Sequence, residues 1–152
     1  MKISELQDYV KDRLNKVEAL VQGGCKAFAE DTRSVYDESK QWIAGGKVAL
    51  VVVTPDMTRN GVAEDGIPMD TKLLIRCVER APLAASSNVM RALDAAAIVG
   101  HELDGPVFNL EYVRQTADER TKTITATATF NVTIHLSYPG RPAPESQNKE
   151  GE

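Results

Sequence analysis

From residue 121 to residue 137 the chain reads TKTITATATFNVTIHLS, with apolar and polar residues alternating almost without a break. Ile124, Ala126, Ala128, Phe130, Val132, Ile134 and Leu136 take the even positions, while threonines, Asn131 and His135 take the odd ones. Successive strand side chains point to opposite faces, so the pattern predicts one strand with an apolar and a polar face. At ~3.3 Å per residue it spans on the order of 50 Å, well beyond the roughly 5–6 residues of an ordinary strand. Just before it, residues 107–116 (VFNLEYVRQT) set Phe108, Leu110 and Tyr112 against Asn109 and Glu111, and the polar segment 117–120 joins the two. Strands joined this tightly pair antiparallel, which predicts a long C-terminal hairpin.

Upstream, the apolar period changes. Leu6, Val10, Leu14, Val17 and Val21 recur at helical spacing behind a Ser4–Gln7 capping box, and Gly23-Gly24 ends the predicted helix. Cys25–Ala29 alternates as a short strand. Asp31 or Thr32 caps a second predicted helix carrying Val35, Tyr36, Ser39, Trp42 and Ile43 on one side, with Gly45-Gly46 as its stop and Trp42 as a core or interface anchor. Residues 47–54 (KVALVVVT) are apolar on both faces, as in a strand covered from both sides. Pro55–Met69 reads as a long loop, and Met57, Val62, Ile67 and Met69 give it more apolar surface than a solvated loop needs. A strand over 70–80 follows, with Leu73, Ile75 and Cys77 on one face, before Pro82 stops it. Ser86 or Ser87 then caps a third helix running to about Leu103, with Val89, Met90, Leu93, Ala96, Ala97, Gly100 and Leu103 on a broad face. The order predicts a single α+β domain over residues 1–137: a mixed, mostly antiparallel sheet, helices on one face, and the long C-terminal hairpin. Residues 138–152, rich in proline and poor in apolar side chains, are expected to form a disordered tail.

Composition narrows the chemistry. A chain of 152 residues suits one core, and its net charge of −4 argues against a protein that neutralises phosphates. A nucleic-acid site would need Arg59, Arg76, Arg80, Arg91 and Arg114 to meet on one face. No apolar run approaches the ~18 residues of a membrane span, and the amphipathic N-terminus lacks the apolar region of a signal peptide. Cys25 and Cys77 read as core thiols of a reducing cytosol. The segment HELDG starts like a zinc-protease helix but has Gly105 where the second histidine belongs. His101 therefore reads as a surface residue at a helix C-terminus, where the partial negative charge favours it. Gly45-Gly46-Lys47 lacks the rest of a phosphate-binding loop, and Asn131-Val132-Thr133 is better explained as polar strand face than as a glycosylation site. Glu111, Asp118 and Glu119 read as solubilising charges at the hairpin tip. No catalytic, cofactor-binding or metal residue is assigned, so no enzyme is expected.

The block from Leu74 to Leu136 carries a resemblance. A strand ending in LIRCVERAPLAASS precedes the Ala-rich helix NVMRALDAAAIVGHEL, a Gly-Pro stop and the two alternating strands. This order resembles the small tail-terminator and minor tail proteins of tailed phages and prophages. The resemblance implies a structural protein that forms a homo-oligomeric ring, commonly a hexamer, caps the tail tube, stops its growth and presents a surface to the head connector. Its implied partners are further copies of itself, the tail-tube protein and the head–tail connector, with no cofactor, nucleic acid or membrane. Its implied location is the bacterial host cytoplasm during assembly and then the virion tail. Another neck or tube component of the same fold fits the same resemblance. Ring contacts need two surfaces on different flanks. The candidates are Met57, Arg59, Ile67 and Met69 in the apolar loop, with Glu111, Arg114, Thr125 and Thr127 on the hairpin. The competing readings are a small-molecule site on the threonine face with His135 and Tyr112, and an adaptor that binds one cellular partner through the Pro55–Met69 loop.

Overall fold

The computed structural model describes residues 3–30, 35–61, 66–80 and 90–136. In chain order the elements are α1 (Ile3–Leu14), α2 (Glu18–Gln22), β1 (Cys25–Ala29), α3 (Val35–Ala44), β2 (Val48–Val53), β3 (Met57–Arg59), β4 (Ile67–Arg80), α4 (Ala92–Leu103), β5 (Asn109–Asp118) and β6 (Thr123–Leu136). The strands form one open sheet in the order β1-β2-β4-β6-β5, with β3 paired to the far end of β4. β1 and β2 run parallel and every other pair is antiparallel, so the α+β class and the mixed, mostly antiparallel sheet are as expected. The long strand is its axis. β6 pairs with β4 from Ile67 opposite Leu136 to Arg80 opposite Thr123, and with β5 along its other edge.

The main core lies on one face of this sheet. Leu73, Ile75 and Cys77 of β4 and Ala126, Ala128, Phe130, Val132 and Ile134 of β6 are buried there beneath Leu6, Val10 and Leu14 of α1, Leu20 of α2 and the Ala-rich side of α4. The helices do not all gather on that face, however. α3 packs on the opposite one, where Val35, Trp42 and Ile43 cover Phe28, Ala49 and Val51. The reason is visible in β2, whose residues are apolar on both sides and need a cover on each. Trp42 anchors that cover as expected, its indole Nε1 donating to the carbonyls of Gly24 (3.1 Å) and Val48 (2.9 Å). The second face of β6 is threonine and asparagine, while that of β4 mixes Lys72, Arg76 and Arg80 with the half-buried Leu74 and Val78.

Five local expectations change. The first predicted helix starts at Ile3, ahead of Ser4, and is broken into α1 and α2 just past Asn15. The Asn15 side-chain amide donates to the Ala27 carbonyl (3.1 Å) and accepts from the Ala27 N–H (2.8 Å), acting as a substitute strand on the outer edge of β1. The Pro55–Met69 loop is instead a hairpin-like return: Met57 pairs with Thr71 and Arg59 with Met69. α4 begins at Ala92, so Met90 precedes it, and its buried side is Ala92, Ala95, Ala96, Val99, Gly100 and Leu103, leaving Leu93 and Ala97 exposed, while Val89 lies outside the described residues. A register shift between Leu110 and Tyr112 leaves Glu111 as a bulged residue, so Tyr112 turns away from the side of Phe108 and Leu110. Tyr36 is also exposed rather than packed with Val35. The proposed caps at Asp31, Thr32, Ser86 and Ser87, residue Val62 and the tail 138–152 lie outside the described residues.

Asn15→Ala is expected to cost about 1–3 kcal/mol, because it strips partners from both backbone groups of buried Ala27. Urea unfolding followed by circular dichroism checks this. A loss indistinguishable from zero would show that water replaces the amide at no cost.

Candidate functional site

The expected interface residues fall into two groups on opposite faces of the sheet. Residues paired across a ladder share a face, so the registers locate each one. Met57 lies opposite Thr71, Arg59 opposite Met69, and Ile67 opposite Leu136. All four candidates of the former loop therefore sit on the face covered by α1 and α4, at the end of the sheet where β3 ends. Met57 and Ile67 remain 40% and 39% exposed, whereas Met69 is half-buried against the core. Arg59 is exposed, its Nε donating to the Gly61 carbonyl at 3.1 Å.

Beside this apolar end lies a cleft of about 580 Å³ between α1 and the segment after α4. Leu6, Leu103, Phe108, Val132 and Ile134 form its apolar wall, and Tyr9, Arg13 and Val107 its rim. Ile134 is the direct ladder partner of Met69, so cleft and apolar end share that row. Tyr9 stacks on Phe108 with centroids 6.3 Å apart, and Arg13 donates to the Glu102 carbonyl at 2.7 Å, tying α1 to the end of α4. The sequence reading overlooked this cleft. Its one available signal was an aromatic, Tyr9, off the apolar stripe of α1.

The second group occupies the other face. Arg114, Thr127 and Arg76 form one row across β5, β6 and β4, and Thr116, Thr125 and Val78 form the next. Tyr112, Thr129 and Leu74 make a third row, in which Thr129 is buried. The Arg114 guanidinium lies 5.2 Å from the centre of the Tyr112 ring. Glu111 is not at the hairpin tip. As the bulged residue it receives a charge-assisted hydrogen bond from Lys72 Nζ, which also donates to Asn131. Among the described residues Arg76, Arg80 and Arg114 form no ion pair.

The five arginines that a nucleic-acid site would require do not meet. Arg76, Arg80 and Arg114 share the face on which α3 packs, Arg59 lies on the face covered by α1 and α4, and Arg91 is engaged by Glu79. Glu79 is 1% exposed: its carboxylate accepts from Arg91 Nε and Nη2 (2.8–3.2 Å) and from the backbone N–H of Ala92 (2.8 Å). Those hydrogen bonds, and then the carboxylate charge, raise the Arg91 pKa above its ordinary value. The signal for this pair was an acid continuing the apolar face of β4 after Leu73, Ile75 and Cys77.

Both cysteines are free and buried. Burial pushes the Cys25 thiol up to about 11, and burial, then the nearness of Cys25, pushes Cys77 well above the ordinary thiol value. Both are therefore neutral thiols near pH 7, without the thiolate a nucleophile needs. His101 is exposed in the last turn of α4, as expected. The side chain of His135 lies outside the described residues. Among the described residues no group of three His, Cys, Asp or Glu side chains could hold a metal ion, and no helix is long and apolar enough to cross a membrane. The chain matches no protein-family model and no curated protein sequence.

Proposed function

We propose that this chain is a structural subunit of a phage or prophage tail, one that forms a homo-oligomeric ring at the end of the tail tube. On this reading it stops tube growth and presents a surface to the head connector, without catalysis and without a cofactor. It would assemble in the bacterial host cytoplasm and remain in the virion tail. The observation that carries the reading is the division of the interface candidates between two unlike surfaces on opposite faces of one sheet. Head-to-tail contacts, the kind that close into rings, join two different patches of the same subunit. The apolar end with Met57 and Ile67 is suited to a dry contact, and the arginine–threonine face to a wet one.

The test uses tubes polymerised from a tail-tube protein of the same phage or prophage. The wild type is expected to bind tube ends and to form rings in negative-stain images. The double variant Met57→Asp/Ile67→Asp should keep its circular dichroism spectrum, since both side chains are exposed, and lose tube-end binding or ring formation. A wild-type protein that stays monomeric and ignores tube ends would sink the proposal.

The cleft favours a second reading, a small-molecule-binding domain, with Tyr9 and Arg13 rather than His135 and Tyr112 at the site. A ligand-dependent rise in melting temperature that disappears in Arg13→Ala would support it.

A further inference from the structure

The two edges of the sheet are not equivalent. At β1 the side chain of Asn15 already occupies both backbone groups of Ala27. At β5 the Asp104 carboxylate takes the N–H of Leu110 (3.0 Å), and the bulge at Glu111 breaks the next step. From Val113 to Asp118 the strand is regular, free of proline and, among the described residues, unpaired on its outer side. Alternate N–H and C=O groups there face away from β6, the template on which another strand adds.

We propose that a second copy of this chain pairs along this edge, antiparallel, strand β5 to strand β5, with Thr116 on the two-fold axis. In one register this edge is complementary to itself. A two-fold axis normal to the sheet keeps each side chain on its own face, so only registers centred on a residue are allowed. Centred on Thr116, Arg114 of each copy faces Asp118 of the other, Gln115 faces Ala117, and the two threonines face each other. Centred on Gln115, Arg114 faces Thr116 and Asp118 faces Tyr112, so no charges are paired. Centred on Ala117, Arg114 would face Arg120. Opposite charges across a ladder stabilise pairing and like charges oppose it, which selects the Thr116 register. The Tyr112 ring beneath Arg114 holds the guanidinium near the edge. This contact is isologous, so it is distinct from the head-to-tail contact of a single ring and does not rest on the tail assignment.

Oxidation of Thr116→Cys tests the register. Directly opposed residues lie ~4.5–5.5 Å apart at Cα, within the ~4.4–6.8 Å that a disulfide spans. Thr116→Cys is expected to form a covalent dimer, while Thr127→Cys, one strand inward, stays uncrosslinked. Arg114→Glu should weaken dimerisation about tenfold or more in sedimentation equilibrium, by setting like charges opposite each other twice. Asp118→Asn should weaken it less, since asparagine can keep accepting the Arg120 and Thr121 N–H groups of the turn. A protein monomeric at every concentration overturns the inference, as does an oligomer in which Thr116→Cys fails to crosslink. Equal affinity in Arg114→Glu overturns the register. Tube-end binding is scored separately, so loss of one result leaves the other legible.

Discussion

Glu79→Ala is expected to lower the unfolding free energy by about 2–4 kcal/mol, a large share of the roughly 5–15 kcal/mol of an ordinary domain. The substitution acts at several points. It removes a charge-assisted hydrogen bond to the N–H of Ala92, the first residue of α4, and with it a helix cap supplied from another element. It dissolves the contact with Arg91, whose guanidinium is half-exposed and simply returns to water. It also leaves a hole where a 1%-exposed side chain stood. Glu79→Gln keeps the shape and one acceptor and should cost about half as much. Urea titrations of both variants check this, and a Glu79→Ala loss below about 1 kcal/mol would show that α4 is held by its alanine face alone. The raised Arg91 pKa sets the sign of any pH effect. Its contribution is fully present below the ordinary arginine value and is lost only as pH rises through the higher folded value, so this group gives no loss through neutral pH.

Phe130→Ala should cost a comparable amount, about 3–5 kcal/mol, for a different reason. Phe130 is 0% exposed, among the largest buried side chains, and sits in the middle strand of the β4-β6-β5 group with Leu73 on one side and Leu110 on the other. Above it lies α4, which approaches closely because its buried side is built from alanines and Gly100. A Cβ at Gly100 would stand 3.1 Å from Leu110, which shows how little room remains. A helix this close has little freedom to settle into the void, so the lost contacts are not recovered. The expected readout is a lower urea midpoint with an unchanged slope. A loss under about 1.5 kcal/mol would mean that α4 collapses onto the sheet after all.

The parts legible from local pattern share one property: their side chains answer to a strict period. β6, most of β4 and the apolar stripe of α1 repeat at two or three to four residues, and the structure keeps them nearly where the pattern put them. The hairpin of β5 and β6 was legible because a short polar connection leaves no other pairing. Where a partner distant in sequence intervened, the pattern misled. β3 is too short and too polar to announce itself, and becomes a strand because Thr71 and Met69 lie across from it. The break after α1 falls beside Asn15, whose side chain serves Ala27, a pairing that no window of neighbouring residues contains.

Residues 121–137 alone determined a two-faced strand, with its threonines and its apolar row on opposite sides. That follows from backbone geometry, in which alternation needs no knowledge of the rest of the chain. Only the tertiary structure decided what each face meets. The apolar row lies under α1 and α4 because the matching face of β4 supplies the other half of the core. The threonine row is joined by arginines because the registers bring Arg76 and Arg114 to either side of Thr127. The free edge beside it is β5 rather than β1, because a single asparagine side chain reached Ala27 first.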